Sequence, residues 1–143
     1  MITDLEQKSD NASFNFKPSE IHHVAIICSN YEISLKFYKE VIGLELLNQV
    51  YREERQSWKA DLGLNGKYLI ELFSFPEPPK RLSRPEASGL RHLAFAVQDI
   101  EEAANHLKKL GIYHEPIRID EYTQKRFFFF EDPDNLPIEF YSI

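Results

Sequence analysis

Two segments of the sequence repeat one pattern, and this repeat limits the folds open to the chain more than any other feature. The segment HVAIIC begins at His23 and the segment HLAFAV begins at His92, and both read as strands. Glu71 lies 48 residues after His23, and Glu139 lies 47 residues after His92, each within an apolar run. The chain is therefore predicted to contain two copies of one unit.

Each copy is predicted to continue with a helix that ends at a glycine. Ser29 and Glu32 have the spacing of a capping box, and Asp99 can cap the second helix in the same way. Gly43 and Gly111 lie 20 and 19 residues beyond the repeated histidines, where a glycine can adopt the left-handed conformation that ends helices. The predicted buried faces comprise Ile33, Phe37 and Val41 in the first helix, and Ile100, Ala103, Ala104, Leu107 and Leu110 in the second.

Three strand-like segments follow each helix, separated by turn-forming residues such as Asn65-Gly66. The predicted strands are 44–50, 58–62 and 68–73 in the first copy, and 113–119, 126–130 and 138–141 in the second. Each copy is therefore a βαβββ module, and the fold class is α+β. The predicted boundaries are a tail at 1–20, modules at 21–75 and 89–143, and a proline-containing linker at 76–88.

Composition limits the classes of partner. A chain of 143 residues can bury a core without crosslinks, and its single cysteine, Cys28, predicts a reducing cytoplasmic location. The net charge of -6 argues against nucleic acid as a partner. No apolar run approaches the roughly 20 residues of a membrane span, and the first 20 residues lack the apolar stretch of a secretory signal. A small molecule is the predicted partner.

The repeated histidines and glutamates indicate a metal site. Strand alternation places Ala25 on the face of His23 and Ala94 on the face of His92, so that each histidine has open space in front of it. Ionised carboxylates among apolar neighbours need compensation, because desolvating them costs several kcal/mol. Two imidazoles and two carboxylates suit Zn, Ni, Co, Mn or Fe. The predicted ligands of one divalent metal ion are His23, Glu71, His92 and Glu139.

Simpler interpretations apply to single residues. A lone strand histidine is more often a packed residue than a ligand, and the repeat is what favours ligation here. His22 is predicted to point away from the face of His23, and Cys28 to be a core residue. Among the cations, one or two of a group that includes Arg52, Arg55 and Lys59 could bind a substrate carboxylate or phosphate. The run 127–130 is predicted to send two rings into the core and two into the cavity.

The paired βαβββ units, the segment FYKEVIGLELL and the ending DPDNLPIEFY resemble the vicinal oxygen chelate superfamily, with its glyoxalase I-like fold. The resemblance extends from Ile21 to the C-terminus, and RPEASGLRHLAFAV and YTQKRFFFFEDPDNLPIEFY resemble in particular a bacterial YaeR-type group. It implies a cup-shaped sheet around a divalent metal, a homodimer and the same four ligands. It also implies a lyase or isomerase that acts on a small oxo-compound or thioester, with Glu139 or Glu71 as the base.

Other branches of the superfamily supply the alternatives. Extradiol dioxygenases and fosfomycin-modifying thiol transferases typically have no ligand at the position of Glu71, and bleomycin-sequestering proteins use the fold without metal. A dioxygenase, a thiol transferase and a non-catalytic binding or resistance protein are therefore the competing hypotheses. The sequence leaves open the substrate, the use of glutathione, the metal, the choice of base, and whether one chain or a dimer forms the site.

Overall fold

The predicted repeat is present in a computed structural model that describes residues 15–143. Residues 1–14 of the predicted tail lie outside the described part of the chain. The first half contains β1 (Val24–Cys28), α1 (Tyr31–Lys36), a π-helical turn (Phe37–Ile42), β2 (Glu45–Arg52), a 3-10 turn (Glu53–Arg55), β3 (Ser57–Leu64) and β4 (Lys67–Ser74). The second half contains β5 (Leu93–Val97), α2 (Ile100–Lys109), β6 (Arg118–Ile119), β7 (Arg126–Glu131) and β8 (Pro137–Ser142).

The two halves form two four-stranded sheets of the same topology. The strand orders are β1-β4-β3-β2 and β5-β8-β7-β6. The first and last strands of each half pair in parallel, and the other neighbours are antiparallel. This arrangement confirms the predicted α+β fold of two βαβββ modules. None of the helices in residues 15–143 is long and apolar enough to cross a membrane.

The two sheets and the helices share one core. Strand alternation buries Ile26 and Cys28 while Ala25 and Ile27 stay exposed, as predicted for β1. In β7, Phe128 and Phe130 are buried whereas Phe127 and Phe129 are half-buried, which confirms that two of the four rings enter the core. Burial raises the pKa of the Cys28 thiol to about 11, in keeping with its predicted place in the core. Buried residues of both halves belong to one hydrophobic cluster.

Turn chemistry follows the sequence closely. Asn65 and Gly66 join β3 to β4 and have φ of 52° and 77°. They form the two-residue hairpin turn that an Asn-Gly sequence favours, because both residues tolerate positive φ. Gly43 ends the first helical segment with φ of 91°, and Asp99 caps α2 by accepting from two backbone amides. These predictions are confirmed.

The start and buried face of α1 differ from the prediction. The cap is Asn30, whose side chain accepts from the Ile33 amide, while Ser29 bonds to Asp134 of the second half. Ile33 is 56% exposed and Ser34 is buried in its place, whereas Phe37 and Val41 are buried as predicted. The C-terminal end of α2 also differs, since Leu110 is 45% exposed.

The predicted strand 113–119 is reduced to the two residues of β6. Pro116 has no amide hydrogen to donate to a ladder. Glu115 replaces the missing pairing, because its amide donates to the Phe129 carbonyl at 3.0 Å and its carboxylate accepts from the Phe129 amide at 2.9 Å. A side chain therefore completes this edge of the second sheet.

A buried hydrogen bond joins the two halves. The Tyr38 hydroxyl donates to Asp132 Oδ2 at 2.7 Å, and the two residues are 0% and 5% exposed. Tyr38→Phe is expected to lower the free energy of unfolding by about 1–3 kcal/mol, since it leaves a buried carboxylate oxygen without a donor. Denaturant unfolding measures this loss. Tyr122→Phe is the matched control, because Tyr122 is 97% exposed and its change should stay within about 0.5 kcal/mol.

Candidate metal site

Glu71 is the centre of a polar cluster on the exposed face of the first sheet. The register places Glu71 between Ala25 of β1 and Asp61 of β3. The Tyr68 hydroxyl lies 3.0 Å from Glu71 Oε2 and 3.1 Å from Asp61 Oδ1, so its single proton can be donated to either carboxylate. Lys59 Nζ lies 2.7 Å from Asp61 Oδ1 and 3.5 Å from Glu71 Oε2. Glu71 is therefore fixed in position by a cation and a phenol.

The electrostatics of this cluster follow from those contacts. The hydrogen bond to Asp61 raises the pKa of Lys59, so that the ammonium form is retained. Burial, and then the hydrogen bonds to the two carboxylates, raise the pKa of Tyr68 well above its ordinary value. The phenol therefore remains a proton donor to the carboxylates.

A β-bulge brings Tyr68 into the cluster. Pairing between β3 and β4 steps from Leu62–Ile70 to Gly63–Tyr68, which leaves Leu69 as an extra residue. Without this step, strand alternation would place Tyr68 on the face of the buried Ile70. The bulge therefore explains why Tyr68 contacts Glu71.

His22 and His23 lie together, and the prediction that they occupy opposite faces is wrong. Their Nδ1 atoms are 2.9 Å apart, and their ring centroids lie 5.3 Å and 5.1 Å from that of Tyr68. The physical reason is that β1 begins at Val24, so strand alternation does not govern the two histidines. Both imidazoles therefore lie beside the polar cluster.

The second sheet carries the matching pair. His92 Nε2 lies 3.1 Å from Glu139 Oε2, and the His92 and Phe129 rings pack nearly perpendicular to each other with centroids 5.0 Å apart. Ala94 and Ala96 are exposed, so the predicted open face is present. Here the residue opposite Glu139 is Phe129, whereas the residue opposite Glu71 is Asp61. We call the Glu71 cluster with His22 and His23 the first half-site and the His92–Glu139 pair the second half-site. The first is therefore the more highly charged, and the second has an aromatic neighbour.

One chain brings His92 and Glu139 into contact, places His23 beside Tyr68, and does not assemble the four candidate ligands as a set. Across residues 15–143, no group of three or more His, Cys, Asp or Glu side chains is close enough to hold a metal ion. The second sheet nevertheless offers His92 and Glu139, and the first offers Glu71 with His22 and His23 just before its first strand. In type, these donors fit Zn, Ni, Co, Mn or Fe, since imidazole and carboxylate oxygen are common ligands of all five.

Three residues of the first half-site were absent from the predicted ligand set. Lys59 and Asp61 alternate with the buried Ala60 and Leu62 on β3, and this alternation was a usable signal for a polar face. Tyr68 had no such signal, because its orientation depends on the bulge. In the sequence, Lys59 is only one of several cations that could bind an anion.

Comparison with known proteins places the chain in a family. Residues 20–140 match the family model described as Glyoxalase/Bleomycin resistance protein/Dioxygenase superfamily. The chain is 59% identical over 123 residues to the uncharacterized protein YaeR of Escherichia coli, covering 86% of this chain and 95% of that protein. It is 59% identical over 122 residues to the uncharacterized protein YwkD of Bacillus subtilis, covering 85% and 95%.

Solved structures agree with this placement. The glyoxalase family protein from Enterococcus faecalis superposes with a TM-score of 0.79 at 48% identity, covering 86% of this chain and 97% of that one.

More distant sequence relatives include an Actinomyces 2-epi-5-epi-valiolone epimerase, 30% identical over 62% of this chain and 57% of that protein. Another is the Schizosaccharomyces pombe lactoylglutathione lyase, 27% identical over 86% of this chain and 47% of that protein. The chain belongs to the glyoxalase, bleomycin resistance protein and dioxygenase superfamily, whose fold its two βαβββ modules reproduce.

Proposed function

We propose that this protein is a cytoplasmic, metal-dependent lyase or isomerase that removes a proton from the carbon next to a carbonyl of a small oxo-compound or thioester. The observation that carries the proposal is the second half-site, where His92 Nε2 and Glu139 Oε2 lie 3.1 Å apart on an exposed face. The same residue types recur on the first sheet. Relatives named as an epimerase and a lyase support this reaction class.

His23, Glu71, His92 and Glu139 would hold one divalent ion, either Zn, Ni, Co, Mn or Fe. Such an ion, when bound, supplies Lewis-acid stabilisation of the negative charge that develops on a carbonyl oxygen. Fixed protein dipoles and charges add to that stabilisation because they need no reorganisation during the reaction. Phe129 and the exposed alanines would shape the cavity and exclude water around the reacting carbon.

The complete site is proposed to form between two copies of the chain. Metal sites in enzymes commonly use three or more protein ligands, and residues 15–143 of one chain bring no such group together. A symmetric dimer that places the first sheet of one copy against the second sheet of its partner would create two equivalent sites. This arrangement also covers the exposed alanine faces of β1 and β5.

Glu139 is proposed as the base. Glu71 is held by Tyr68 and Lys59, which limits its movement towards a substrate. Glu139 has His92 as its ion-pair partner among the described residues, and its side chain is 12% exposed. A carboxylate that transfers a proton must reach the substrate carbon, and Glu139 is the less constrained of the two.

The proposal is tested with metal-free protein reloaded separately with each candidate ion. Hemithioacetals of 2-oxoaldehydes and acyl-thioesters are then screened in D₂O for conversion or for deuterium entry next to the carbonyl. We expect exchange with at least one ion, and its loss when a chelator is added. A fully loaded protein that exchanges none of these compounds with any ion would contradict the proposed reaction.

A further inference from the structure

We propose that Arg52 is the anion-binding residue of this site and that the substrate carries a carboxylate or phosphate group. This inference rests on the proposed function, because it assumes that the reacting carbonyl lies beside Glu71. It extends that function by naming a chemical feature of the substrate and the side chain that recognises it.

Arg52 lies on the same sheet face as the candidate ligands. It pairs with Ser57 across β2 and β3, and Ser57 shares its face with Lys59 and Asp61. Asp61 in turn pairs with Glu71. Directly paired residues project to the same side of a sheet, so Arg52 belongs to the charged half-site.

The guanidinium is fixed in place by its neighbours. Its Cζ atom lies 4.6 Å from the centroid of the Phe73 ring and 5.7 Å from that of Phe75. Nη2 donates to Ser57 Oγ at 2.9 Å. A planar guanidinium stacked on aromatic rings keeps its donors pre-organised for a carboxylate or phosphate.

Arg52 also has unused donor capacity. Its Nε is buried and has no hydrogen-bond partner among the described residues. Within residues 15–143, none of the ion pairs involves Arg52, whereas Lys59 is shared between Asp61 and Glu71. A buried donor without a partner costs free energy, and an oxyanion that reached it would recover that cost. Arg52 is therefore a cation of this sheet face that a substrate anion can use.

The second sheet provides a natural contrast. Arg118 stacks on Phe127 with its Cζ 4.8 Å from the ring centroid, much as Arg52 stacks on Phe73. However, Arg118 already donates to Glu115 Oε1 from Nε at 3.1 Å and from Nη2 at 2.8 Å. Its charge is compensated within the chain. Arg118 therefore serves as a control, because it stacks on an aromatic ring in the same way but its Nε and Nη2 are already hydrogen-bonded to Glu115.

The geometry also sets the length of the substrate. Phe73 is the next residue after Glu71 on the same strand face, so the two side chains lie roughly 7 Å apart along β4. Since the guanidinium lies over Phe73, the bound anion should be separated from the reacting carbonyl by about that distance. A short chain of three or four carbons between the two groups fits this spacing.

Three hydroxamates test the inference on metal-loaded protein by calorimetry. Glutaric monohydroxamate carries a carboxylate, 4-phosphonobutanohydroxamate carries a phosphonate, and 5-methylhexanohydroxamate carries a neutral isopropyl group of similar shape. All three present vicinal oxygens to a metal. We expect at least one anionic ligand to bind about 10- to 100-fold more tightly than the neutral one, as charged hydrogen bonds allow. The anionic ligand with the larger gain in affinity over the neutral one indicates whether the substrate carries a carboxylate or a phosphate.

Variants assign the gain to the residue. In Arg52→Met, the anionic and neutral hydroxamates should bind with nearly equal affinity, and the affinity for the neutral hydroxamate should be unchanged. Arg52→Lys should retain part of the preference, and Arg118→Met should retain it fully. The unchanged neutral affinity shows that Arg52→Met is folded, and thermal unfolding checks this separately.

The outcomes separate the two proposals. If the neutral hydroxamate binds the loaded protein and the anionic ligands gain nothing, or if Arg52→Met keeps their preference, the anion subsite is wrong and the metal proposal stands. If no hydroxamate binds the loaded protein, the chelating function is wrong and the subsite fails with it.

Discussion

Glu139→Gln is expected to lower proton abstraction by about 10²- to 10⁴-fold while most of the metal remains bound. The amide oxygen of glutamine remains available to the metal as a neutral donor, but the side chain no longer accepts a proton, and loss of a general base typically has this effect. In the structure, Glu139 lies on β8 between the buried Ile138 and Phe140, so glutamine should occupy the same place. Deuterium entry next to the carbonyl of a bound substrate analogue measures abstraction directly.

Glu71→Gln is the matched comparison. Glu71 is positioned by Tyr68 and Lys59, so its amide variant should cost less in rate than the Glu139 variant. Metal content is measured on the same samples, which separates loss of the base from loss of the ion. Undiminished exchange in a metal-loaded Glu139→Gln protein would assign the base elsewhere, with Glu71 as the first candidate.

His92→Ala is expected to weaken metal binding by more than about 100-fold. Changes to residues that only support ligands already cost about 10- to 100-fold, and removal of a ligand should cost more. Because a metal ligand must be deprotonated to bind, the affinity of the unchanged protein should also fall as the pH is lowered. Competition with a chromophoric chelator measures both effects.

His106→Ala is the control for that variant. His106 lies on α2, where its Nε2 hydrogen-bonds to the Val41 carbonyl at 3.0 Å, away from either half-site. Its replacement should leave metal affinity unchanged. Both variants are compared at a chelator concentration that removes the metal from His106→Ala. If His92→Ala keeps its metal fully bound under that condition, His92 is not a ligand.

Much of the fold could be predicted because strand alternation and turn chemistry act locally. The apolar alternation of β1 and β5, the Asn65-Gly66 turn and the Asp99 cap each depend on a few neighbouring residues. At the start of α1 the prediction was wrong because a distant residue intervenes. Ser29 does not cap α1, because Asp134 from the other half takes its amide and hydroxyl hydrogens.

The candidate site could be predicted only in part for the same reason. The His and Glu pairs were visible as a repeat in the sequence, since each repeats at nearly the same spacing. Tyr68 was not visible, because a one-residue bulge at Leu69 decides its face. The sequence indicates Arg52 only as one of several cations. Its Nε, unpaired among the described residues, and its place over Phe73 depend on the register of three strands.

The most direct test of the account is the metal content of a mixed dimer. Chains carrying His23→Ala and chains carrying His92→Ala are given different affinity tags, co-refolded, and purified for dimers that contain both. If each site is built from the first sheet of one copy and the second sheet of its partner, such a dimer has one complete site and one site that lacks both histidines. Elemental analysis should then find about one metal per mixed dimer, compared with about two in the unchanged protein and almost none in either variant alone. A mixed dimer without metal, or a protein that stays monomeric with its metal bound, would contradict the account.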